Sequence, residues 1–438
     1  MIPFSRGYNI PNTFSHSYIN FIYMTYVNKK AILKVGVIII LGVVLASATI
    51  SAGVLADAPA ESEYSDILND TEGDGTISNP HVVTTLDELQ SINSSLSADY
   101  VLGNNIDASE TDTWNSGAGF TPIGKLRDPF SGNFNGQGYT VDGLYINLTN
   151  SYDIGLFGDV NSADIKNIGV TNIDIQGGIA VGGLVGDNNN GANITKSYST
   201  GSVTGEYDVG GLVGSNRNTT IEKSYSHSNV SGGDKVGGLV GENRRYSNIT
   251  NSFSSGEVSG NYDVGGLVGY NRNANITKSY SKGSVTGEYD VGGLVGDNVG
   301  SSYINKSYSV GSVTGDTNLG GLVGGDNDEY STVADSYWNT ETSNLSTSAG
   351  SAIGLTTDEM TGSAAPTNMV GFDFTSVWST VLASDADSSA DSYPILASVD
   401  SVIVSESSSE EYGGMSTLVY VALFFVLFSV MVLLLVKD

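Results

Sequence analysis

An all-β fold is predicted: a right-handed parallel β-helix, or solenoid, of about seven coils of 27–28 residues, with an entry segment, a closing segment and a C-terminal transmembrane helix. Three observations predict it. Gly155, Gly183, Gly211, Gly238, Gly266, Gly293 and Gly321 follow one another at intervals of 28, 28, 27, 28, 27 and 28 residues. The phrase Val-Gly-Gly-Leu-Val-Gly surrounds them at 181–186, 209–214, 236–241, 264–269 and 291–296. A second phrase, Ser-Tyr-Ser-Thr-Gly-Ser-Val-Thr-Gly at 197–205, returns in near copies from Ser224, Ser252, Ser279 and Ser307. A period of this length belongs to stacked supersecondary units, because each unit can bury its apolar face only against its neighbours.

Taken from the N-terminus, the first element is a secretory signal region at 1–56. Lys29, Lys30 and Lys34 precede the apolar run 35–55, and Val54-Leu55-Ala56 is a small-residue cleavage site, with Met24 the alternative natural start. A linker at 57–76 and an entry segment at 77–150 lead to the repeat array at 151–335. The closing segment occupies 336–396 and a serine-rich acidic linker 397–414. The final segment, 415–438, contains the uncharged run 418–436, long enough to span a bilayer, and Lys437 after it favours a cytoplasmic end. This topology places 57–414 outside the cell, at its surface.

Within the array, short runs rich in Val, Ile, Thr and Tyr are punctuated by Gly, Asn and Asp, which reads as strands and tight turns. About three strands per unit are expected, for example 181–186, 193–199 and 201–204. Alternation places Ser197, Ser199, Gly201 and Val203 on one face and Tyr198, Thr200 and Ser202 on the other. If the small residues line a narrow interior, Tyr198, Tyr225, Tyr280 and Tyr308, with Phe253 between them, form an external aromatic row, a candidate surface for a sugar or partner. Parity does not decide whether Leu184 or the pair Val181 and Val185 points inward. Asn188, Asn216, Asn243, Asn271 and Asn298 each lie two residues after the phrase, with Asn327 one residue further on. They are expected at a coil corner with left-handed backbone, their amides bonded from coil to coil. Among ten Asn-x-Ser/Thr sequons, Asn193, Asn248 and Asn275 share one position and Asn305 is displaced from it by two, which makes these four the candidate glycosylation sites.

Charge and composition narrow the function classes. The 438 residues carry 47 acidic and 18 basic side chains, a net charge of -29, which argues against a nucleic-acid partner. Cysteine is absent, which excludes disulfides and thiolate metal sites. No cofactor is expected. Calcium is the competing reading of the asparagine corner, but the Asp-rich nonapeptide it would require is missing, and Lys235 and Asn318 interrupt the carboxylates Asp208, Asp263 and Asp290. His16, His81 and His227 are the three histidines, and no His-Glu-x-x-His occurs, so a zinc peptidase site cannot be assembled. His227 reads as a surface residue.

The array resembles the GLUG-motif repeats of secreted and surface proteins of bacteria and archaea, with Gly-Leu-Val-Gly at 183–186, 211–214, 238–241, 266–269, 293–296 and 321–324 carrying the resemblance. Leu86-Asp87-Glu88-Leu89 and 130–141 are similar to the segment that precedes such arrays, and Ser336-Tyr337-Trp338-Asn339, 354–360, Trp378 and Tyr393-Pro394-Ile395-Leu396 to the one that closes them. The resemblance implies a β-solenoid surface protein engaged in adhesion, cell contact or envelope structure, without catalysis and without a defined ligand. Some members join the repeats to immunoglobulin-cleaving peptidases, whose catalytic part has no match here. The expected partner is a cell-surface or extracellular one, a glycan among the candidates, and the C-terminal helix would engage the membrane. The alternatives are a carbohydrate-binding surface protein and, further off, a polysaccharide lyase, which would need a unique basic cluster that Lys196, Lys223, Lys278 and Arg217 do not form.

Overall fold

The coil that begins at Thr220 shows how one repeat is built. Its strands are Thr220–Glu222, Tyr225–Ser226, Asn229–Ser231, Asp234–Gly237 and Val240–Arg244. The structure, a computed structural model, describes residues 71–325, 330–380 and 392–399. The predicted signal region 1–56, the C-terminal segment 415–438 and Asn327 lie outside the described residues. No helix among the described residues is long and apolar enough to cross a membrane.

Every pairing between successive coils is parallel, and the coils stack in three sheet faces. The first face has ten strands, from His81–Val83 to Thr332–Ala334, because the entry segment contributes His81–Val83, Tyr100–Leu102 and Phe134–Asn135 ahead of the array. The second has seven, from Phe157–Asn161 to Val323–Gly325, one for each predicted coil. The third carries the tyrosine and Tyr-Asp-Val-Gly strands. The interior is a set of columns. Ile194, Ile221, Ile249, Ile276 and Ile304 are in register and buried, as are Val185, Val213, Val240, Val268 and Val295. Burying each such side chain is worth about 1.5–3 kcal/mol, so stability accumulates coil by coil.

The repeated glycine phrase is a corner and not one strand. Val236 and Gly237 end one strand, Gly238 and Leu239 turn, and Val240 starts the next. The turn is why parity could not choose between leucine and valines: Val181, Leu184 and Val185 are all buried. A Cβ on Gly238 would lie 2.2 Å from the carbonyl oxygen of Gly266 and 2.9 Å from the Ser254 Cβ, so only glycine lets the coils close to strand spacing there. The serine columns fill the same narrow interior. Ser197, Ser224, Ser252, Ser279 and Ser307 each accept a backbone N–H from the preceding coil or donate their own to the next serine hydroxyl, at 3.2–3.3 Å.

Left-handed backbone recurs at three corners per coil. One row is Lys196, Lys223, Asn251, Lys278 and Lys306, a second is Asp208, Lys235, Asp263, Asp290 and Asn318, and a third includes Asn190, Asn218 and Asn273. The Asn188 row belongs to none of them. Asn188, Asn216, Asn243, Asn271 and Asn298 lie within the strands of the second face, fully buried, and the corner follows two residues later.

Both ends of the interior are stopped. At the entry, helix Leu86–Ser91 is closed by a capping box between Thr85 and Glu88, and presents Leu86 and Leu89 to the core. Phe130, Phe134 and Phe157 pack at 5.0–5.2 Å beside it. At the far end the inner serine column Ser226, Ser254, Ser281 and Ser309 is continued by Trp338, whose ring fills the level a serine would leave open. Strand Ile353–Leu355 then pairs on Tyr337–Asn339.

Candidate functional site

The aromatic row of Tyr198, Tyr225, Phe253, Tyr280 and Tyr308 stands on the outer side of the coils, as the small-residue parity implies, and its rings stack at 4.7–5.1 Å with planes within 10°. It is not an exposed surface. Tyr225 is buried, Tyr280 and Tyr308 fully so, and Tyr198 half-buried. The closing segment folds back along the row and lays Met360, Met369, Phe372, Trp378 and Leu396 against it in a second apolar cluster. Trp378 lies 5.7 Å from Tyr308 and 6.1 Å from Tyr280. His227, expected at the surface, is half-buried at the edge of the same row: it sits 5.0 Å from the Tyr225 ring, bonds Ser255, and its partial desolvation lowers its pKa. The expectation of a binding surface at Tyr198, Tyr225, Tyr280 and Tyr308 is therefore corrected. The aromatic faces meet the protein's own closing segment.

A second tyrosine column is the one that faces solvent. Tyr207, Tyr262 and Tyr289 hold the same position in the strands Tyr207–Gly210, Tyr262–Gly265 and Tyr289–Gly292, with Asp234 between the first two and Thr317 after the last. They are 48%, 49% and 41% exposed, and Tyr152, two levels before Tyr207 with Ile179 between them, is 65% exposed. Tyr262 and Tyr289 stack at 5.1 Å. The signal was present in the sequence as the phrase Gly-Glu-Tyr-Asp or Gly-Asn-Tyr-Asp before the glycine corner, but the Ser-Tyr-Ser repeat is more regular and drew the reading to the other row.

Glu206, Asn261 and Glu288 stand exposed beside these tyrosines. On the other flank the left-handed acids lean over the second face. Asp208 meets Lys235 at 3.5 Å, and Lys235 meets Glu242 at 3.0 Å. Arg244 pairs with Glu242 at 2.9 Å and Arg217 with Asp187 at 3.0 Å. Burial pushes Asp208 up to about 6, with the Glu242 charge adding to it and Lys235 opposing. Asp263 is pushed up to about 7 by burial and then by the Asp297, Asp234 and Asp290 charges. Among the described residues no group of three or more His, Asp or Glu side chains is disposed to hold a metal ion.

The buried asparagines form a continuous ladder. Asn188 donates to Asn216 at 2.9 Å, Asn216 to Asn243 at 2.9 Å, Asn243 to Asn271 at 2.8 Å and Asn271 to Asn298 at 2.8 Å. This ladder is sealed inside the coils and presents nothing to a ligand. The sequon positions Asn193, Asn248 and Asn275 lie on the first face, in one outward column, with Asn305 two residues along in the column of Thr250 and Thr277. Asn275 donates to Asn248 at 2.9 Å. Lys196, Lys223 and Lys278 sit at the adjoining corner, with Asn251 holding it in the coil between the last two.

Comparison with known proteins gives the same architecture. Residues 232–259 and 260–286 match the family model described as the GLUG motif. Halomucin of Haloquadratum walsbyi is 37% identical over 185 residues, which are 38% of this chain and 2% of halomucin. A protein provisionally named a Gly-rich membrane protein, from Evansella cellulosilytica, is 35% identical over 121 residues, 26% of this chain and 14% of the relative. The chain thus spans a small part of the length of both relatives. A crystal structure of a protein provisionally named an immunoglobulin A1 protease, from Bacteroides ovatus, superposes with a TM-score of 0.50 at 20% identity, covering 74% of this chain and 94% of the other. At that identity the likeness concerns the fold.

Proposed function

We propose that this chain, an array of GLUG repeats wound into a parallel β-solenoid, is a non-catalytic cell-surface protein that makes adhesive contacts through its exposed tyrosine column. The observation that carries this reading is the column itself: Tyr152, Tyr207, Tyr262 and Tyr289 stay exposed on an acidic rod whose other aromatic row is covered. Aromatic side chains held outward at regular levels give an interface large contact area at little entropic cost. The names of the relatives, a mucin and a membrane protein, support a surface location, and the signal and anchor segments read from the sequence agree with it. Glycans at Asn193, Asn248, Asn275 and Asn305 would coat a different face and leave the tyrosines open.

The test compares cells displaying the wild-type chain with cells displaying Tyr207→Ser, Tyr262→Ser and Tyr289→Ser together. The three rings are exposed, so the variant keeps its melting temperature and loses attachment to surfaces and neighbouring cells. Undiminished attachment by a folded variant would sink the proposal.

A further inference from the structure

The exposed tyrosine column is interrupted at two levels, by the apolar Ile179 between Tyr152 and Tyr207 and by an acid, Asp234, between Tyr207 and Tyr262. Successive coils place Tyr207, Asp234, Tyr262 and Tyr289 in register. Where tyrosines occupy adjacent levels, as Tyr262 and Tyr289 do, the rings lie 5.1 Å apart with planes within 7°. Asp234 is far shorter than a ring. The same coil also departs from the repeat one residue earlier, where Gly233 stands in the position of Glu206, Asn261 and Glu288. Two side chains are therefore cut back together at one level, and a groove of about 590 Å³ opens there, lined by Glu206, Tyr207, Gly233, Asp234, Asn261 and Tyr262. Its floor is fixed. The N–H groups of Gly233 and Asp234 both donate to the Glu206 carbonyl, at 3.0 and 2.9 Å, and those of Asn261 and Tyr262 to the Gly233 carbonyl at 2.9 and 3.0 Å.

Tyr207 and Tyr262 are two coils apart, so their strands are separated by about 9.6 Å. A ring entering midway lies about 4.8 Å from each level, the spacing at which the buried aromatic row stacks, 4.7–5.1 Å. The slot therefore admits one six-membered ring. Its polar complement selects the kind. The carboxylates of Asp234 and Glu206 and the amide of Asn261 accept from and donate to hydroxyl groups around a ring edge, while tyrosine faces suit C–H faces. Two carboxylates on a chain of net charge -29 reject uronate and sulfate.

We propose that the interrupted level between Tyr207 and Tyr262 is a binding slot for one neutral pyranose ring of a glycan, held between the tyrosines and hydrogen-bonded by Asp234, Glu206 and Asn261. This deepens the adhesive reading and rests on it for the column's exposure.

The experiment is calorimetric titration of the full-length chain with neutral glucose, galactose and mannose oligosaccharides, with a hexuronate oligomer and a tyrosine-containing peptide as comparison arms. At least one neutral oligosaccharide binds, and the hexuronate does not. Asp234→Tyr puts at this level the residue its neighbours carry; it therefore folds, fills the slot and lowers binding at least tenfold. Tyr207→Ser and Tyr262→Ser each weaken binding, whereas Tyr246→Ser, on an exposed corner away from the groove, leaves it unchanged. The slot is refuted if wild type binds no neutral oligosaccharide, if folded Asp234→Tyr binds as wild type does, or if the peptide binds in place of the sugar. Calorimetry reads the slot and cell attachment reads the adhesive function, so the failure of either is seen apart from the other.

Discussion

The phenol of Tyr308 donates a hydrogen bond to the backbone carbonyl of Pro394, a contact that joins the stacked tyrosine row to the closing segment across 86 residues. The two are one structural unit. Tyr337 makes a parallel contact to the Val370 carbonyl at 2.8 Å, and Trp378 covers Tyr280 and Tyr308. The closing segment is thus both an end cap and a lateral cover, and aromatic stacking between coils depends on it.

Truncating this row costs stability. Tyr308→Ala leaves a ring-sized void beneath Phe372 and Trp378 and is expected to cost about 3–5 kcal/mol. Tyr308→Phe keeps the ring, removes only the bond to Pro394, and costs about 1 kcal/mol. Urea titrations followed by tryptophan fluorescence separate the two. Equal, negligible shifts would mean that the closing segment does not bind the row.

The asparagine ladder predicts a position effect. Asn243→Ala orphans the Asn216 amide donor and the Asn271 acceptor, at about 1–3 kcal/mol for each buried group. Asn188→Ala, at the ladder's end, removes one donor to Asn216, whose oxygen still accepts from the Thr219 hydroxyl. The internal variant therefore melts lower than the terminal one, and identical melting temperatures would contradict a cooperative ladder.

The sequence made the repeat legible because stacking imposes one rule on every coil. Gly238 has to be glycine and Ser226 small for the same geometric reason, so the phase, the inward serines and the outward parity of Tyr198 and Tyr280 were all readable. The cover on those tyrosines was not readable. It comes from Met360, Phe372 and Trp378, which lie outside the repeat and carry no period that would announce where they dock. The five strands of the Thr220 coil were compressed into three for a related reason: the glycine phrase reads as an extended run, and its bend at Gly238 and Leu239 is visible only once the neighbouring coil is in place. The Asp234 slot is a departure from repetition, and such departures mean nothing until the register assigns them a level.

A pH dependence follows from the buried acids. Burial, the largest cause in each case, pushes Asp263 up to about 7 and Asp153 and Asp208 up to about 6, against about 3.9 in an unfolded chain. Between those values the folded state binds more protons than the unfolded one, so stability falls as pH rises from about 4 to 7. His227, with its pKa lowered by burial, acts in the opposite direction over part of that range. Asp373, held well below its ordinary value by Ser376 and Thr375, acts only at lower pH. Asp263→Asn should therefore gain stability at pH 7.5 relative to wild type and lose that advantage at pH 5. Urea midpoints at the two pH values measure the difference, and a pH-independent offset would show that Asp263 is not the titrating group.

Nearest-neighbour stacking makes one coil dispensable and the closing segment indispensable. Removing residues 209–235 joins Asp208 to Val236, which occupies the same position in the next coil as Val209 does in its own. Every column then continues in register, and the shortened chain is expected to remain monomeric with an unchanged strand signature by circular dichroism. Tyr207 and Tyr262 also become neighbours, so the slot at Asp234 is lost with the coil. Ending the chain after Asp335 has the opposite consequence. It bares the hydrogen-bonding edge at Tyr308–Ser309, removes Trp338 from the open interior and exposes the rings of Tyr280 and Tyr308. An unpaired edge beside an apolar face is a template for association, so this chain should leave a size-exclusion column as aggregate. If it elutes as a folded monomer, the cover over the tyrosine row is not what keeps the solenoid from growing.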